Sequence, residues 1–202
     1  MSIDIKKELK NPFTQQYIAE ILFPFVGYLF FDWSLLIIVV FYLLDQLASQ
    51  LLFFKKLNFI NHYWDEKNGW VYLFLSIFLF VITFGLELYF LNTSFAYISD
   101  QNGICYVDEL NTFAKNELWF LFPILLLMYF MQDKMLFYLP KKFEQILSKP
   151  YFVNNTIQNL VVLIMVAVAS FIYPFIKWPD IIIILCIVIV KLMYDFTIKK
   201  MK

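Results

Sequence analysis

Apolar residues run through this chain in six long blocks, and charged or polar residues gather in the short stretches between them. An α-helix needs about 20 mostly apolar residues to cross about 30 Å of hydrocarbon. The blocks at 17–31, 34–54, 70–91, 118–139, 157–173 and 181–198 therefore read as transmembrane helices. The first is the shortest and carries Pro24 and Gly27, so it is expected to kink or tilt among supporting helices. Asp32 and Trp33 separate it from the second, which makes the two a tight hairpin. The fourth is taken through Gln132, Asp133 and Lys134 to Leu139, just before Pro140, because stopping at Met131 leaves it too short to span. The sixth opens on a β-branched run from Ile181, a strand signal in a soluble protein. In lipid an open strand leaves its backbone unsatisfied, so helix is the reading there too. The pattern predicts one all-α, polytopic transmembrane bundle over residues 1–202, with no internal repeat. Residues 92–117 read as an acidic, solvated outer connector, and 140–155 as an interfacial amphipathic helix.

Lysine placement gives the bundle a direction. Thirteen of the sixteen lysines fall on one predicted face: Lys6, Lys7 and Lys10, then Lys55, Lys56 and Lys67, then Lys134, Lys141, Lys142 and Lys149, and finally Lys199, Lys200 and Lys202. Lys115 and Lys177 fall on the other, and Lys191 inside the sixth block. Cytoplasmic segments carry the excess of positive charge, so both termini are expected in the cytoplasm. Trp33, Trp70, Trp119 and Trp178 stand at predicted span ends, where an amphipathic ring suits the interface.

Composition agrees with lipid as the solvent: 62% of residues are hydrophobic and only 16% charged. Net charge is zero, which removes the clustered positive charge that captures nucleic acid. Every basic residue is lysine, so the bidentate clamp that arginine offers to phosphate is absent; genomic base composition accounts for this equally well. Cys105 and Cys186 form neither a disulfide framework nor a zinc pattern. The amino-terminal segment shows no cleavable signal. The expected partners are the lipid bilayer and either another membrane protein or a second copy of the chain.

Charged groups at mid-membrane are costly, so they face protein and pair with something. Asp45 and Lys191 each lie about eleven residues, or roughly 16 Å, from the outer end of their helices, which predicts an interhelical ion pair. Asp195 lies one turn further along the face of Lys191. Gln46, Gln50, Asp133 and Lys134 complete an intramembrane polar cluster, suited either to moving protons or ions or to clasping the helices in register. Glu87, about five residues from the outer end of its block, is the candidate for an outer vestibule. Glu20 reads as a hydrated carboxylate near the inner end of the first block. His62 with Asp65 and Glu66 has helical spacing for a metal, although a solvated loop explains it better. No zinc-protease, nucleophile-elbow or phosphate-loop motif occurs, so no catalytic residue, metal or cofactor is assigned. Two functions follow: a small ion, proton or solute transport component, or a non-catalytic structural or regulatory subunit of a larger membrane complex.

Three segments also carry a likeness. Leu22-Phe-Pro24-Phe-Val-Gly27-Tyr-Leu-Phe-Phe-Asp32-Trp33-Ser34, then Phe41-Tyr-Leu-Leu-Asp45, and Lys191-Leu-Met-Tyr-Asp195 preceded by Pro150-Tyr151, resemble a bacterial multi-pass membrane family known only as a domain of unknown function. The resemblance implies a proline and a glycine in the first span with a tryptophan at its outer end, an acid in the second, and Lys-x-x-x-Asp near the carboxyl end. Asp45 stands where it implies glutamate, and Gln158 where it implies a histidine. The likeness covers both ends of the chain, leaves out the middle third, and implies no activity.

Overall fold

The computed structural model describes residues 22–65, 67–102 and 106–172, together with 181, 182, 184, 185, 188 and 189. Every regular element among the described residues is helical. The chain divides into two compact units, Met1–Tyr42 with Trp178–Lys202, and Leu43–Lys177.

In the first unit, residues 22–30 are helical and the chain then turns at Asp32, whose φ of 52° is left-handed. The Trp33 amide returns to the Gly27 carbonyl at 3.0 Å. A Cβ on Gly27 would lie 2.2 Å from the Trp33 ring, so only glycine leaves the ring its slot. Trp33, expected at the water interface, is instead buried beside Phe23 and Phe41, with ring centroids 5.8 and 5.9 Å away. Ser34 opens the next helix, α1 (Leu35–Trp64), by accepting the Ile37 amide at its hydroxyl. In the carboxyl-terminal stretch Ile184 and Val188, one helical turn apart, are buried.

The second unit contains most of the described helices, and three of them run longer than the apolar blocks suggested. α1 continues ten residues past the expected end at 54, because Leu57 and Ile60 extend its apolar face and are both fully buried. α2 (Gly69–Asn102) and α3 (Tyr106–Asn116) occupy most of the expected outer connector. α3 has Asp108 and Glu109 in its first turn and Lys115 in its last, the arrangement a helix dipole favours, and it buries Phe113. α4 (Leu118–Asp133) runs on through a π-helical turn, Lys134–Tyr138. A left-handed Lys141 and a single 3-10 turn, Lys142–Glu144, lead to α5 (Ser148–Ile172). The expected amphipathic helix at 140–155 is therefore replaced by a turn and the start of α5. Pro150 falls in the first turn of α5, where a missing N–H leaves no bond unmade.

Among the described residues four helices are long and apolar enough to cross a membrane: Leu35–Trp64, Gly69–Ala96, Leu118–Tyr138 and Ser148–Val168. Of the expected first span, residues 22–31 are described, helical through residue 30, whereas the expected sixth lies largely outside the described residues. On the surface, Phe74, Val81, Trp119, Leu127 and Phe171 are all well exposed, as lipid-facing side chains would be.

One end of the second unit is closed by a compact knot. The Asn61 amide donates to the Gly69 carbonyl at 2.8 Å, and its oxygen accepts from the Ser148 hydroxyl, tying α1, α2 and α5 together. Gly69 is obligatory here, since a Cβ would lie 2.6 Å from Asn61 Cγ. The Trp64 indole donates to the Phe143 carbonyl at 2.9 Å, and Phe143 packs with Ile60 and Phe137.

Candidate functional site: a polar ladder along α1

The helix α1 would be an ordinary apolar span were it not for a series of polar side chains facing the interior of the second unit. Buried polar groups persist only when they find partners, because each unmet donor or acceptor loses its hydration without return. Along α1 the partners come from three different helices.

Asp45, buried, accepts at Oδ1 from the Tyr129 hydroxyl of α4 at 2.9 Å. Gln46, the next residue and so turned about 100° around the helix, donates from Nε2 to Glu87 Oε1 of α2 at 3.3 Å. One turn along, Gln50 Nε2 donates to Asn155 Oδ1 at 2.9 Å and Asn159 Oδ1 at 2.8 Å on α5. Asn155 donates back to Gln50 Oε1 at 3.1 Å, so this amide is answered on both sides. Further on, the Lys56 ammonium meets Asp133 Oδ1 of α4 at 2.7 Å, with the two side chains only 18% and 12% exposed. The Tyr151 phenol of α5 stands near the same ammonium, and the Phe137 ring lies 5.9 Å from it. Asn61 and its knot complete the ladder.

The partner directions show how the helices run. Contacts move along α1 from Gln46 to Gln50 to Asn61 while moving backwards along α2, from Glu87 to Gly69, and along α5, from Asn159 to Ser148. Both helices are thus antiparallel to α1. Contacts to α4 advance from Tyr129 to Asp133 in the same sense as α1. The connections bearing Lys67, Lys141, Lys142 and Lys149 consequently meet at one end.

Four of the polar residues singled out in the sequence, Asp45, Gln46, Gln50 and Asp133, point into this ladder, and each takes a different partner. Lys134 does not join them; it is exposed, because adjacent helical residues point about 100° apart and Asp133 takes the inward position. Lys191 and Asp195, and with them the expected ion pair to Asp45, lie outside the described residues, as does Glu20. Glu87 departs most from expectation. It is 0% exposed, bound within the protein where a wetted vestibule was expected. The reason is packing: α2 turns Glu87 towards α1, where Gln46 meets it.

Sequence reasoning missed Lys56, Asn155, Asn159, Asn61 and Ser148. Lys56 follows Lys55 at what looked like a span end, so both were assigned to the water. Lys55 is indeed exposed, its ammonium 5.1 Å from the Phe130 ring, whereas Lys56 is turned inward. The available signal was the 3–4 spacing of Phe53, Leu57 and Ile60, which shows the helix continuing past both lysines. Asn155 and Asn159, four apart, share a face with Ser148 and Phe152, a stripe concealed by starting the helix at 157.

His62 is exposed in the last turn of α1, not in a loop, and its ring stands against Trp70. No group of three or more potential metal ligands occurs among the described residues. No family model, curated protein or solved structure matches the chain.

Proposed function

We propose that this protein is a multi-pass component of the bacterial inner membrane that takes part in moving protons or small ions, with the α1 ladder as its working interior. The observation that carries this reading is the gathering of three buried carboxylates, Asp45, Glu87 and Asp133, around one helix inside a unit whose outer face is apolar. Ionisable groups at membrane depth are expensive and mark ion or proton pathways more often than they mark packing. Both termini are placed in the cytoplasm, with six spans in all. The meeting of Lys67, Lys141, Lys142 and Lys149 at one end of the second unit supports that direction, since positive connectors stay on the cytoplasmic side. Asp45 would pass charge along the ladder, and Tyr129 would orient its carboxylate.

The test is flux. Purified protein in proteoliposomes is expected to dissipate an imposed pH or ion gradient, and Asp45→Asn is expected to abolish this while the protein stays folded. Wild-type vesicles as tight as empty ones, or flux untouched by the substitution, would reject the reading.

A structural or regulatory subunit is the second reading, favoured by one observation of its own. The Gln50, Asn155 and Asn159 amides and the Lys56–Asp133 pair are satisfied within the chain, as helix clasps are. This reading expects co-purification with another membrane protein from native membranes and no flux by the chain alone.

A further inference from the structure

The ladder contains one place where the hydrogen bonding does not close. Glu87 has no exposure, and its one hydrogen bond, from Gln46 Nε2 to Oε1, is long at 3.3 Å. Its other oxygen, Oε2, is buried without a partner, and so is Gln46 Oε1 on the same pair of side chains. Two acceptors are thus enclosed together with no donor between them. Neighbours on the same helix do not supply one. Thr83, one turn away, turns its hydroxyl back to the Leu79 and Phe80 carbonyls at 3.0 and 3.1 Å. Ser76 is three turns away, roughly 16 Å along the axis.

Among the described residues the surroundings lack a compensating charge as well. α2 carries no basic residue along its length, and α5 carries no charged residue beyond Lys149 in its first turn. Among the described residues, Asp45, next to Gln46 on α1, and the Tyr129 hydroxyl of α4 are the ionisable groups that the other helices bring to this part of the ladder. Neither is a cation. A carboxylate at Glu87 would therefore carry a full negative charge in an apolar interior with one weak donor, the most costly state available to it.

We propose that Glu87 is a proton-binding site, occupied as the neutral acid with the proton on Oε2 and with Gln46 as its hydrogen-bonding partner. A single proton converts Oε2 from an unmet acceptor into a donor, which the Gln46 carbonyl oxygen is available to receive. A metal cation fits less well, because hard cations draw about six to eight oxygens and this pair presents three. The inference deepens the transport reading by naming the proton as the species bound. It rests on that reading for its use in transport, although occupancy itself is measurable without any flux.

Infrared difference spectroscopy on the full chain in lipid bilayers tests it. Wild type minus Glu87→Gln at neutral pH is expected to show a protonated carboxylic C=O band that shifts in deuterated water and fades as pH is raised. Sodium, potassium or calcium at constant ionic strength should leave the band unchanged, and Gln46→Leu should displace it. Should Glu87→Gln fail to fold, Glu87→Asp gives the same comparison with the band moved instead of lost. A difference spectrum containing only carboxylate stretches, or a band abolished by one of the cations, would overturn the proposal. A band without flux would reject transport and leave the proton site standing, whereas flux without the band would do the reverse.

Discussion

Two stretches of α1, only a few turns apart, solve the problem of buried polarity in opposite ways. Around Lys56 and Asn61, charge meets charge and donors meet acceptors: Lys56 has Asp133 and Tyr151, and Asn61 has Gly69 and Ser148, with Asn58 Oδ1 the exception. Around Gln46 the balance tips towards acceptors, with Glu87 held by one long bond. A region whose groups are matched in kind and number resists change, because any rearrangement exposes an unmet charge. A region short of donors has something to gain by binding a ligand that supplies one. The first arrangement is suited to holding helices together, and the second to exchange.

The comparison can be broken most sharply at the ion pair. Asp133→Ala leaves Lys56 buried without its counterion and is expected to cost about 3–5 kcal/mol, read as a large fall in the unfolding midpoint in detergent. Combining Lys56→Met with Asp133→Leu should recover most of that loss, since an apolar pair of similar volume replaces a buried ion pair at little cost. Next in size is Gly69→Ala, where the added methyl is forced onto Asn61 and disrupts the knot, for about 1–3 kcal/mol by the same assay. Gln50→Leu is expected to fall in a similar range, about 1–3 kcal/mol, by leaving the Asn155 and Asn159 amides unanswered. Glu87→Gln should behave differently: it adds N–H donors where acceptors lack them, so the midpoint should hold or rise. A fall as deep as that of Asp133→Ala would erase the contrast between the two regions. Smallest of all is Glu144→Ala. It removes an exposed pair with Lys141 at 3.8 Å and should shift the midpoint by no measurable amount.

Much of this architecture was legible in the chain because lipid imposes a simple rule, that long apolar runs become helices. The inward residues stood out for the same reason. Asp45, Gln46, Gln50 and Asp133 interrupt apolar runs, and a polar interruption in lipid must face protein. Who meets whom was not legible. Gln46 and Glu87 are 41 residues apart, and Gln50 and Asn159 are 109 apart, so pairing depends on how far each helix runs before it turns. Helix ends were the weak point. α1 was ended before Lys55–Lys56 and α5 begun at 157, yet the two lysines lie mid-helix and α5 starts at Ser148, and those two misplacements concealed Lys56 and Asn155. Glu87 was assigned to a wetted rim because its partner on α1, 41 residues away, was not legible.

The position of Lys56 also has a bearing on how the protein is made. Its counterion, Asp133, emerges from the ribosome 77 residues later, and Asn159, which completes the Gln50 amide, 109 residues after Gln50. At about 5–20 residues per second the first interval alone lasts roughly 4–15 s. Throughout that time α1 is the first finished part of the second unit and the one least suited to bare lipid. Nascent α1 must be sheltered at the site of insertion until its later partners arrive, so the order of synthesis runs against the order in which the ladder can close.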